Sequence, residues 1–239
     1  LQFTQEAFEV AHAIGDPYGE DAALNIQGVA LLELGKPDQA IPYLEQALEI
    51  ARQIGDRSLE PSALAEVGWA YFHLGDLERA YALLEKARDQ ALVSVEKQDL
   101  PAIYAFSSQV ARHRGRSAEA LAHARAGLQT AQALEEPYSM GLAWRVMGEI
   151  YAHSDQDEAA IEPRACFEES VRILRKIGAE AELARSLAAY GLSLTQSMPV
   201  GTEEPVRGAA MLTEARALFQ RLGMAGDLAR LDAKSAERR

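Results

Sequence analysis

Cysteine occurs once in these 239 residues, at Cys166, and asparagine once, at Asn25. A single thiol excludes an intramolecular disulfide and any CxxC zinc site, and it fits a reducing, cytoplasmic setting. Aromatic residues make up only 7% of the chain and β-branched residues are sparse, while alanine and leucine abound. That balance favours helix over sheet. No run of 18 or more apolar residues is present, so no membrane span is expected. A charged leader followed by an apolar stretch and a cleavage site is also missing, as is an initiator methionine. Positive charge is scarce: 24 Lys and Arg stand against 36 Asp and Glu, a net charge of −12. The deficit gathers at the start. Residues 1–60 hold eleven acidic and three basic side chains, whereas the stretch from Thr202 holds seven basic and six acidic ones. An acidic surface repels phosphate backbones, so no direct nucleic-acid partner is expected. No GxxxxGK[ST], GxGxxG, HExxH or GxSxG occurs. Nothing assembles a nucleophile, base or metal, and the expectation is a protein that is not an enzyme and carries no cofactor.

The organising stretch is Tyr18 to Arg57. Two amphipathic helices fit it, helix A at about Tyr18–Leu34 and helix B at about Pro37–Ile54. They are separated at Gly35-Lys36-Pro37 and closed by Ile54-Gly55-Asp56. Pro37 suits a first helical turn, where a missing N–H costs nothing. Leu24, Gly28, Leu31, Ala40, Leu44 and Ala47 return forty residues later as Leu64, Gly68, Tyr71, Ala80, Leu84 and Ala87. Glycine in mid-helix costs about 1 kcal/mol against alanine, so its return at one register implies close helix contact.

The same register continues along the chain. Residues 3–16 match 43–56, so the chain opens on a helix B whose helix A is absent, and a fragment of a longer protein is expected. Phe3, Phe8 and Val10 then lack part of their cover, which suggests a homodimer through this half repeat. The third repeat is degenerate, with Ser108 at the glycine place. The fourth has Trp144, Gly148 and Tyr151, then an insertion near Asp155–Pro163. The fifth has Leu187, Gly191 and Leu194, then a break at Ser197–Gly201. The spacing divides the chain at 1–16, 17–56, 57–96, 97–136, 137–178, 179–223 and 224–239, the last a capping helix and tail.

These motifs resemble the tetratricopeptide repeat (TPR), in its variety of about forty residues. The Ile-Gly-Asp and Leu-Gly-Asp closures are similar to the C-terminal TPR regions of bacterial multidomain regulators, such as maltose-activator-type ATPases and ATPase-linked cyclases. The resemblance implies an all-α fold, a right-handed α-solenoid of antiparallel helix pairs with helices A on the concave face. It also implies protein or peptide partners.

Under that reading the register places Asn25, Val29, Glu66, Trp69, Phe72, Phe106, Gln109, Arg112, Arg145 and Glu149 on the groove. Aromatics beside charges suit a recognition surface; the alternative is that they pack between repeats. His73, His113 and His153 also recur every forty residues. Stacked helices lie about 10 Å apart, too far for two imidazoles to share a metal with bonds near 2 Å, so a helix C-terminal role is preferred. Asp155–Glu158 lacks the glycine and glutamate of a calcium loop, and His153-Ser154-Asp155 is adjacent in sequence without being a triad. The expected function is a partner-binding or sensing scaffold. A peptide-sensing receptor is the second reading, weakened by the scarcity of Asn, and a spacer or dimerisation module the third.

Overall fold

A computed structural model describes residues 2–56, 58–94, 97–153, 163–197 and 204–236. The sequence positions Asp155–Glu158 and most of the break after Ser197 lie outside the described residues. Twelve helices and no strand are found among those described. The chain forms two compact units, residues 1–115 and 116–239.

The first unit holds α1 (Gln2–Ile14), α2 (Pro17–Glu33), α3 (Pro37–Ile54), α4 (Leu59–Leu74), α5 (Leu77–Val93) and α6 (Leu100–His113). Helix α2 packs on α3, α3 on α4, α4 on α5 and α5 on α6. The alternate helices α2, α4 and α6 also touch in sequence order. They therefore share one face, the helix-A face. The paired bounds expected from spacing, 18–34 and 37–54, differ from the observed ones by one residue at each end of the first helix and not at all in the second.

The second unit holds α7 (Ser117–Ala133), α8 (Pro137–Tyr151), α9 (Pro163–Ile177), α10 (Glu180–Ser197), α11 (Glu204–Leu222) and α12 (Ala225–Ala236). Each helix packs on the next, and α8 and α12 also touch α10. The core runs through Val171, Leu174, Leu183, Leu187, Phe219 and Met224.

Close contact explains the recurring glycines. A Cβ on Gly28 would collide with the Leu44 side chain, and one on Gly191 would sit 2.8 Å from the Gly208 carbonyl oxygen. Gly55 and Gly75 end their helices in the left-handed region, at φ 73° and 93°, where a side chain is costly. Glu135 holds the place of Gly55 between α7 and α8, and it too adopts positive φ, 53°. Asp76 caps α5 by accepting from the Arg79 amide, and Glu136 caps α8 by accepting from the Tyr138 and Ser139 amides. The outermost helices are thinly held: α1 fully buries only Ala11, and α12 only Leu231.

Candidate functional site: the helix-A faces

Three aromatic rings join α4 to α6 in the first unit. Trp69 stacks on Phe72 at 4.7 Å and on Phe106 at 4.4 Å, both with planes 8° apart. His73 meets Trp69 edge-on at 4.6 Å, and His113 meets Phe72 edge-on at 5.0 Å. Trp69 is 7% exposed and Phe106 is buried, while Phe72 stays half-buried. The stack thus binds the helices together and presents Phe72 at its rim. The histidines pack on rings, and His153 places its Nδ1 2.8 Å from the Glu149 carbonyl oxygen, a helix-terminal contact.

Glu66 lies one helical turn before Trp69 and is half-buried. Burial raises its carboxyl to about 7, and the nearby negative charges of Glu33 and Asp99 push in the same direction. Both charges come from neighbouring helices, Glu33 at the end of α2 and Asp99 at the start of α6. On α2, Asn25 and Val29 are half-buried and Ile26 is 58% exposed. Gln109 is buried, and Arg112 is half-buried with a guanidinium nitrogen 2.9 Å from the His113 ring.

The second unit puts charge where the first puts rings. Arg145 is buried and donates to Glu182 at 2.6 Å, with Glu149 3.7 Å away. Glu182 also accepts from Arg185, and Arg185 reaches Asp227 of α12 at 3.3 Å. Arg230 closes the row on Asp227 at 2.9 Å. Burial pushes the Asp227 carboxyl up, and Arg185 and Arg230 more than reverse it, holding it below its ordinary value. Arg145 is therefore committed to a buried ladder linking α8, α10 and α12. Its partners Glu182, Arg185 and Asp227 were not singled out from the sequence. Pairs such as Glu182 and Arg145 stand 37 residues apart, a separation that no helical periodicity signals.

A cleft of about 540 Å³ opens between α9, α10 and α11, with Val171, Tyr190 and Met211 on its walls and Arg172, Arg175 and Arg207 at its edge. Tyr190 donates to Glu168 at 3.0 Å; burial, then Glu168, pushes its hydroxyl to about 12. Burial likewise raises the Cys166 thiol to about 11, so thiolate is scarce at neutral pH.

These stacked hairpins define an α-solenoid. Residues 19–92 match the family model of the tetratricopeptide repeat, and the resemblance read from the motifs is thus to a family that the comparison also finds. No curated protein matches the chain. Among solved structures, the chain is similar to a signal transduction ATPase with numerous domains (STAND) protein with a tetratricopeptide repeat sensor from Pyrococcus horikoshii, at 18% identity and a TM-score of 0.61. The match covers 92% of this chain and 32% of that one, so the chain spans about a third of that protein's length. It is also similar to BtubC (BKLC) from P. vanneervenii, at 16% identity and a TM-score of 0.61, covering 100% of this chain and 91% of that one. Identities this low speak for the fold.

Proposed function

We propose that this chain is a non-catalytic protein-interaction scaffold, the sensing or partner-binding region of a larger cytoplasmic regulator, and that it binds through its helix-A faces. The repeat boundaries expected from spacing, from 1–16 to 224–239, belong to this proposal, as do Asn25, Glu66, Trp69, Phe72, Phe106, Gln109 and Arg112 for the first unit's face and, for the second unit's, Glu149 with Arg145 as the buried residue that supports it. The observation that carries it is the side-by-side placement of α2, α4 and α6, which leaves Ile26 exposed and Phe72, Val29 and Glu66 half-buried on one surface. Apolar and aromatic side chains flanked by charge are the usual makings of a protein-binding patch. The chain's likeness to a STAND protein with a tetratricopeptide repeat sensor supports a regulatory setting.

The test is a pull-down from source lysate with the wild type and with an Ile26→Asp/Phe72→Ala variant of equal helicity. A protein retained only by the wild type is the expected result. Equal recovery of every captured protein would overturn the assignment of binding to this face.

A further inference from the structure

From the first unit we infer that the face formed by α2 and α4 docks a basic amphipathic segment of a partner protein, its apolar side chains on Ile26 and Val29 and its Lys or Arg side chains on Glu66 and Glu33. The inference rests on the helix-A-face reading above and adds the chemistry of the occupant.

Three observations carry it. The face is open where apolar contact is needed: Ile26 is 58% exposed and Val29 is half-buried. Ile26 and Glu66 are forty residues apart, at one register on adjoining helices, so an exposed apolar group and a carboxylate share the same strip. Charge is complementary. Residues 1–115 hold 18 Asp and Glu against 9 Lys and Arg, a net −9, whereas residues 116–239 hold 18 against 15. At Glu66 itself the neighbouring charges that act are both negative, from Glu33 on α2 and Asp99 before α6. A carboxylate held among carboxylates and partly withdrawn from water is an unfavourable arrangement in the free protein. An arriving ammonium or guanidinium relieves it.

Because the cation favours ionised Glu66, binding strengthens as pH rises. In the free protein Glu66 gives up its proton near pH 7, and in the complex it gives it up at lower pH. Affinity is weakest where both forms are protonated and reaches its full value above the free-protein transition.

The experiment uses synthetic peptides that alternate Leu with Lys, Leu with Glu, or Leu with Gln, titrated calorimetrically against the whole chain. The Leu/Lys peptide is expected to bind, about tenfold more tightly at pH 8 than at pH 6. Glu66→Gln is expected to weaken it and flatten that pH dependence, and Ile26→Ser, which removes the apolar contact without adding charge, to weaken it with the dependence kept. Preference for the Leu/Glu or Leu/Gln peptide, or a Leu/Lys affinity indifferent to Glu66→Gln, overturns the basic occupant. The lysate pull-down is independent of peptide charge. A protein lost there with Ile26→Asp/Phe72→Ala, alongside a failed Leu/Lys titration, leaves the face standing and sinks only its proposed occupant.

Discussion

Glu135 occupies the left-handed region that glycine takes at the matching helix ends, including Gly15 and Gly55. Its side chain is exposed, so little is held in return for the strained backbone. A left-handed non-glycine residue costs roughly 1–2 kcal/mol, part of which glycine returns as entropy of the unfolded chain. Glu135→Gly is therefore expected to stabilise the protein by about 1 kcal/mol, read as a rise of roughly 2–4 °C in the thermal midpoint. An unchanged or lower midpoint would show that the backbone there is not strained. The residue scale is also where the sequence was least legible. Register grouped Trp69, Phe72 and Phe106 across two neighbouring helices, yet it did not give their stacked geometry. Register also gave Arg145 a groove position, and its burial depends on Glu182, which only the packing of α10 on α8 brings within reach. Such contacts depend on rotamers and on the tilt between helices, neither of which a repeat pattern encodes.

At the scale of elements, periodicity was enough. The proline at the start of α3 and the Ile-Gly-Asp closures mark helix ends because each suits the backbone there, while the mid-helix glycines mark where two helices touch. Helix α1 follows the same rule and matches α3, but its apolar stripe remains bare: Phe3 is 84%, Val10 61% and Ile14 71% exposed. On α3 the counterparts Tyr43, Ile50 and Ile54 are half-buried, and Ala47, the counterpart of Ala7, is fully buried. Phe3 and Val10 make few contacts in this chain, so Phe3→Ser/Val10→Ser is expected to change stability by less than about 0.5 kcal/mol. A clear drop in the denaturation midpoint would show that the stripe packs more closely than its exposure indicates.

For the whole molecule, stability should depend on pH through Glu66. Its folded-state pKa of about 7 lies above the ordinary value of 4.5. A raised carboxyl favours folding while protonated, so its contribution is fully present below the ordinary value and is lost as pH rises through 7. Glu66→Gln mimics the protonated form. It is expected to leave the denaturation midpoint nearly unchanged at pH 4.5 and to raise stability by about 1–2 kcal/mol at pH 8, a figure kept modest because the residue is only half-buried. An equal effect at both pH values would show that the carboxyl is not perturbed.

The thin anchoring of α1 and α12, one fully buried residue each, has a consequence for how the chain comes apart. In a stack of hairpins each layer is secured by its neighbours, and a terminal layer has a neighbour on one side only. Amide protons of α1 and α12 should therefore exchange with solvent well before those of α4 or α10, as both ends open and reclose while the interior layers stay shut.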